Sequence, residues 1–269
     1  SIFSELFEYS FMTRAVIAGI LVSLCSSLLG VSLVLKRYSM IGDGLSHVSF
    51  GALAIAAALN TAPLAVSIPL VIIAAFFLLR ITESGSMRGD AAIAVFSSSS
   101  LAIGIIVTGL TTGITTDVCN YMFGSVLAMS RTDVYISVIL SFAVLALFVV
   151  FYNRIFAVTF DEPFSRATGV RVDLYNSALA VLTAVTIVLG MRIMGALLIS
   201  SLIIFPALSA MRVCRYFKGV IICAAVISTV CFFIGICASF YLEIAVGASV
   251  VIANLIVFIT FSLAARLRR

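Results

Sequence analysis

Apolar residues run along this chain in long, nearly unbroken blocks, with the polar positions gathered between them. Nine blocks are long enough to be helical spans: about 15–35, 41–60, 64–80, 91–111, 133–153, 174–191, 195–211, 220–241 and 244–265. A helix rises 1.5 Å per residue, so about 20 apolar residues cross a bilayer. The strands of a membrane barrel would instead alternate apolar and polar residues over about ten positions. The pattern therefore predicts an all-α, polytopic transmembrane helical bundle of about 8–9 spans, a single domain over 1–269.

Three stretches between the blocks carry further expectations. The first, 1–13, is short and amphipathic, as suits a segment lying in the membrane interface. The second, 112–132, holds Tyr121-Met-Phe-Gly-Ser-Val-Leu-Ala-Met129, which is apolar but too short to cross. It reads as a re-entrant or interfacial segment. The third, 154–173, reads Asp161-Glu-Pro-Phe-Ser-Arg-Ala-Thr-Gly169 at its centre. Asp161 suits an N-cap, Glu162 and Pro163 suit a first turn, and Gly169 suits a C-terminal stop. So short a helix gains little from propensity alone, so the reading gives it a surface to dock on.

Composition narrows the class. Of 269 residues, 63% are hydrophobic and 10% charged, with a mean hydropathy of +1.30. Soluble domains carry about 25% charged residues, so a soluble or disordered protein is excluded. The net charge of +5 reports orientation in a bilayer rather than a nucleic-acid partner. Threading nine spans puts Lys36, Arg37, Arg80, Arg88, Arg154, Arg166, Arg171, Arg212, Arg215, Lys218, Arg266, Arg268 and Arg269 on one side, 13 in all. The other side receives Arg14, Arg131 and Arg192, which is 3. The positive-inside rule then places the N-terminus outside and the C-terminus in the cytoplasm. Glu5 and Glu8 give the start of the chain the wrong charge for a secretory leader. The 6 cysteines include no C-x-x-C pair and read as small core residues, not a disulfide framework.

Chemistry concentrates in the second block, Arg37-Tyr-Ser-Met-Ile-Gly42-Asp43-Gly44-Leu-Ser-His47-Val-Ser-Phe-Gly51. Asp43 and His47 stand four apart and share a helix face. Counted from Arg37 at 1.5 Å per residue, His47 falls about 15 Å deep, near the midplane of a roughly 30 Å core. An ionisable pair there is costly and makes a candidate functional site. Three readings are open: a structural pair joining helices, a proton relay, or a site for a divalent transition metal, since carboxylate oxygen and imidazole nitrogen suit zinc, manganese or ferrous iron. Gly42 and Gly44 would let the helix open locally, as at transporter ion sites.

Other polar positions carry less. Asp117 and Asp133 bracket the 112–132 segment and Glu243 lies near a loop; all three read as solvated charges, with Asp117 and Glu243 placed to steer cations toward the outer face. Asn254 is expected to bond a neighbouring helix. Met191 and Met194 read as core. Gly109-x-x-x-Gly113 reads as a close helix contact. No phosphate loop is present, and the lysines are Lys36 and Lys218 alone. With one histidine, H-E-x-x-H is impossible, and no G-x-S-x-G appears. The chain thus reads as a non-enzyme without its own nucleotide site and without a permanently bound cofactor.

Over nearly its whole length the chain resembles the membrane permease subunit of the zinc/manganese/iron class of ATP-binding-cassette importers. The resemblance rests on five stretches in order. They are Gly42-Asp-Gly-Leu-Ser-His47-Val-Ser-Phe-Gly51, Gly89-Asp-Ala-Ala-Ile-Ala-Val-Phe96, the Phe123 to Leu127 pattern, Asp161 to Gly169 with Ser165-Arg166-Ala167 at its middle, and Gly195 to Ala210 with Pro206. A departure is Gly44, where a bulkier residue is expected. The resemblance implies metal contact by Asp43 and His47. It implies ATPase coupling through Asp161, Glu162, Pro163, Phe164, Ser165, Arg166, Ala167, Thr168 and Gly169. Its partners would be a second copy of the permease, cytoplasmic ATPase subunits, an extracytoplasmic metal-binding protein and the lipid of a bacterial inner membrane, with no nucleic acid. Against this stands an ion-coupled secondary carrier or channel that uses Asp43 and His47 as a cation or proton relay.

Overall fold

The computed structural model describes residues 10–83, 89–111, 120–125, 130–196 and 198–267. In chain order its helices are α1 (Ser10–Leu35), α2 (Ile41–Ala58), α3 (Pro63–Glu83), α4 (Gly89–Leu110), α5 (Arg131–Val150), α6 (Tyr152–Phe160), α7 (Glu162–Ala167), α8 (Val172–Met194), α9 (Ile199–Val213), α10 (Phe217–Leu242) and α11 (Val246–Leu267). No strand occurs among the described residues. Eight helices are long and apolar enough to cross a membrane, and α9, at 15 residues, is shorter. The protein is a multi-pass helical membrane protein, as the apolar blocks predict.

Contacts fix which end of the bundle each helix reaches. At one end, Lys36 just after α1 lies 3.4 Å from Glu162 of α7. Asn176 near the start of α8 donates to Glu83 at the end of α3 at 3.2 Å. At the other end, Arg192 near the end of α8 meets Asp133 near the start of α5 at 2.8 Å. Short α9 joins the two. It begins just after Ala196, whose N–H donates to the Tyr121 carbonyl at 2.9 Å. It finishes just before Phe217, whose ring packs on Phe156 and Phe160 of α6 at 5.0 and 5.5 Å. At about 22 Å of helix, α9 is carried across by the non-helical residues on either side of it. The bundle is therefore traversed nine times among the described residues, from the Tyr121 end at α1 to the α7 end at α11.

The centre is built from α1 and α8, most of whose residues are buried. Small residues let the helices close in. A methyl on Gly19 would collide with the Phe232 ring of α10, and one on Gly30 with the Ile203 carbonyl of α9. One serine bonds across the core: the Ser228 hydroxyl donates to the Ser23 carbonyl at 2.9 Å. By contrast α4 lies at the edge, burying Ala92, Gly104 and Thr108.

Several expectations shift. Residues 10–13 belong to α1, and 1–9 lie outside the described residues. Of 112–132, the described part is one helical turn at 120–123 followed by Gly124 with φ of 79°, then α5 from Arg131. The 154–173 loop holds one helix more than expected. Ahead of α7, α6 turns Ile155 and Val158 inward. Polar Asn153 and Arg154 conceal that helix in the sequence. Gly109 meets nothing within 4 Å among the described residues, and Gly113 lies outside them. Gly104 makes a close contact: a methyl would lie 2.7 Å from the Phe50 ring and 3.2 Å from the Gly51 Cα. Asn254 bonds back to Val250 of its own helix at 2.9 Å rather than to a neighbour. Cys25 and Cys231 are buried and free, and Met191 and Met194 are core, as expected.

Candidate metal centre and docking helix

The head of α2 is set by an ordered turn. The Tyr38 N–H donates to the Leu33 carbonyl at 2.8 Å and the Arg37 N–H to the Val34 carbonyl at 3.1 Å. This is the paired closure of a Schellman motif, whose left-handed position glycine usually takes. Here Arg37 holds it with φ of 61°. Helix α2 starts only at Ile41, so His47 lies six residues along it, about 9 Å of rise. The pair therefore lies nearer the α7 end than a count from Arg37 suggests, because 37–40 is turn and not helix.

His47 Nε2 lies 3.9 Å from Asp43 Oδ1, with 12% of the His47 side chain exposed and 36% of the Asp43 side chain. That exceeds hydrogen-bond range. It approaches the span of two ligand bonds of about 2.1 Å meeting at a tetrahedral metal, about 3.4 Å. Buried His47 Nδ1 has no hydrogen-bond partner. Such orphaned polar atoms are uncommon in cores and call for an explanation. Asp43 is turned toward the open side of α2, and the Ser46 hydroxyl closes on its carbonyl at 2.7 Å. Among the described residues no group of three or more His, Cys, Asp or Glu side chains gathers at one point. The pair thus brings one oxygen and one nitrogen of metal-ligand type to one place.

The glycines around the pair pack rather than hinge. Helix α2 continues unbroken through Gly42 and Gly44. A methyl on Gly44 would lie 2.9 Å from Ile93 Cγ2 of α4, and one on Gly42 would lie 3.1 Å from Ile203 Cδ1 of α9. Ile93 thus explains why Gly44 stands where a larger residue is expected.

At the same end, α7 forms with the predicted caps. Asp161 Oδ1 accepts from the Phe164 N–H at 2.9 Å. Gly169 takes φ of 84°, and the Val170 N–H reaches back to the Ser165 carbonyl at 3.0 Å. Arg166 grips Asp173 with both terminal nitrogens at 2.9 and 3.2 Å. The Phe164 ring is 63% exposed. Lys36 is the part sequence reasoning missed. Its side chain is 5% exposed, and its ammonium bonds Asn176 and pairs with Glu162. Burial pushes its pKa below the usual lysine value, while Glu162 and Glu83 push it back up. A lysine in a basic inter-helix turn reads as an orientation charge, and nothing in the sequence marks it as buried.

The opposite end holds a second missed pair. Arg192 Nη2 meets Asp133 Oδ2 at 2.8 Å, with side chains 5% and 13% exposed. The guanidinium stands 5.6 Å over the Tyr121 ring. Asp133 is therefore a buried partner and not a solvated loop charge. Gly124 and Gly195, both at positive φ, meet backbone to backbone beside it, so that a methyl on either would strike the other's strand of chain. Glu243 is exposed in the α10–α11 turn with φ of 53°. Asp117 lies outside the described residues.

The described residues thus form a multi-pass membrane bundle with one carboxylate–imidazole pair and a separate capped helix at one end. The ABC 3 transport family matches residues 8–265, and the chain belongs to that family. It is a membrane permease of the ATP-binding-cassette kind. It is 30% identical over 251 residues to the high-affinity zinc uptake system membrane protein ZnuB of Haemophilus influenzae, covering 93% of this chain and 96% of that one. It is 27% identical to the manganese transport system membrane protein MntC of Halalkalibacterium halodurans, covering 93% and 86%. Among solved structures it is similar to PsaBC from Streptococcus pneumoniae in complex with Fab, with a TM-score of 0.89, 26% identity, and coverage of 100% of this chain and 99% of that chain.

Proposed function

We propose that the chain is the permease subunit of an ATP-driven importer that moves a divalent transition-metal ion inward. The His47–Asp43 pair carries this reading: two metal-type ligands at near-ligating separation, one with an orphaned ring nitrogen, on a helix otherwise apolar or small. The names of the relatives favour zinc and manganese, and the same ligand chemistry accepts ferrous iron. A second copy of the chain lines the pathway and completes the coordination, and an extracytoplasmic metal-binding protein supplies the ion. Glu243 and Asp117 steer cations at the outer mouth. Helix α7, with its exposed Phe164, docks a separate ATPase subunit on the cytoplasmic side.

The test is metal titration of the purified protein, wild type beside His47→Ala and Asp43→Asn, with zinc, manganese and ferrous ions. Loss of an outer-shell group alone weakens metal sites 10- to 100-fold. Loss of a ligand should therefore weaken binding by more than about 100-fold. Equal affinity in all three proteins would overturn the assignment. Separately, Phe164→Asp should abolish association with the ATPase, measured by co-purification, while leaving metal affinity unchanged.

A further inference from the structure

Three elements meet at one buried ammonium, and a fourth is joined to it through Asn176. Lys36 Nζ pairs with Glu162 Oε2 of α7 at 3.4 Å and donates to Asn176 Oδ1 of α8. The Asn176 amide in turn donates to Glu83 Oε1 of α3 at 3.2 Å. Lys36 itself is the first residue after α1. A cationic group so enclosed holds its neighbours firmly, because any separation leaves an unpaired charge out of water.

The turn beyond Lys36 is equally constrained. The Lys36 N–H closes on the Ser32 carbonyl at 3.0 Å. The Arg37 and Tyr38 amides close back onto α1, and the Ile41 N–H donates to the Tyr38 carbonyl at 3.0 Å. The Gly44 N–H donates to the Met40 carbonyl at 3.2 Å. The turn is thus hydrogen-bonded from Lys36 to the first turn of α2, where Asp43 lies. Arg166 also ties α7 to Asp173 at the start of α8, giving the short helix a second anchor beside Glu162.

We propose that Lys36 is a positioning residue that transmits displacement of α7 to the metal-bearing head of α2. When α7 moves, Glu162 draws Lys36, and the bonded turn carries Ile41 and Asp43 with it. Asn176 holds the same ammonium from α8, and Glu83 of α3 holds the Asn176 amide, so these helices shift as a set. The inference rests on the proposed transport function and adds the route by which docking reaches the metal pair.

The test uses the permease reconstituted in liposomes with its ATPase and the metal-delivering protein. ATP hydrolysis and zinc or manganese uptake are measured together for wild type, Lys36→Met, Glu162→Gln, the double variant, and the charge exchange Lys36→Glu with Glu162→Lys. Allosteric coupling between sites spans roughly 5- to 150-fold. The ratio of metal moved to ATP hydrolysed should fall within that range in each single variant. The double variant should be no worse than either single one, and the exchange should recover part of the ratio. Metal affinity should stay at the wild-type value throughout, and ATPase co-purification should stay at the wild-type value in Lys36→Met. Unchanged ratios, or single losses that multiply in the double variant, would overturn the relay. A merely structural role would lower uptake, hydrolysis and thermal midpoint together and leave the ratio fixed, which also overturns it. Absence of ATP-dependent uptake in the wild type would instead overturn the transport reading, and the variants would not be needed to show it.

Discussion

Gly51 and Gly109 sit on two neighbouring helices and differ in what a side chain would meet. A methyl on Gly51 would lie 2.8 Å from the Ser100 carbonyl oxygen of α4, and backbone cannot rotate away. Gly109 meets nothing within 4 Å. Gly51→Ala should therefore destabilise the protein by about 1–3 kcal/mol through overpacking. Gly109→Ala should be neutral or gain about 0.5–1 kcal/mol, since alanine is the better helix former. Thermal unfolding in detergent checks both, and similar midpoints for the two variants would contradict the packing. Sequence alone cannot separate these glycines, because the role of each lies in the helix facing it. Asp43 and His47 could be singled out as a neighbouring pair for the opposite reason: ionisable side chains four apart inside an apolar block stand out without a partner helix. Their depth was not legible, because Arg37 occupies a left-handed position where glycine would have announced the turn.

Element by element, local signals came through and long-range ones did not. Helix α7 was readable because Asp161, Pro163 and Gly169 act within one turn of where they stand. Helix α6 was missed because its aromatic face is explained only by Phe217 on α10. The Arg192–Asp133 pair was missed because its members lie 59 residues apart and each stands at a helix end, where charges usually meet water. Yet that pair ties α8 to α5, and Asp133 Oδ2 also accepts from the Ser130 N–H at 3.1 Å as part of a capping box. Breaking a buried pair by removing one partner costs about 3–5 kcal/mol, because the other charge stays behind unpaired. Arg192→Met should therefore destabilise by that amount, and Arg192→Met combined with Asp133→Asn by less. A double variant less stable than the single one would show that Asp133 is not the partner whose charge matters.

For the whole molecule, nine passes among the described residues put Ser10 and Leu267 at opposite ends, and the charges decide which is which. The Tyr121 end carries Arg14, Arg131 and Arg192, the last two beside or paired with Asp133. The α7 end carries Lys36, Arg37, Arg80, Arg154, Arg166, Arg171, Arg212, Arg215, Lys218 and Arg266 among the described residues. The insertion machinery retains basic flanks in the cytoplasm, so the α7 end should face inward, where an ATPase can reach Phe164. The traverse by α9 is the step on which this depends. Were α9 to turn back, Phe217 could not lie against Phe160 while Ala196 bonds Tyr121. The expectation is open to thiol labelling in whole cells, with the 6 native cysteines replaced. Thr61→Cys, in the α2–α3 turn, should react with a membrane-impermeant maleimide applied outside. Thr168→Cys and Arg215→Cys, before and after α9 in sequence but at the same end, should react only after the membrane is opened. Labelling of Thr168→Cys and Arg215→Cys from opposite sides would mean an odd number of crossings between them, and α9 would lose its pass. Labelling of both from outside would keep the nine passes and invert the molecule, leaving α7 no ATPase to meet.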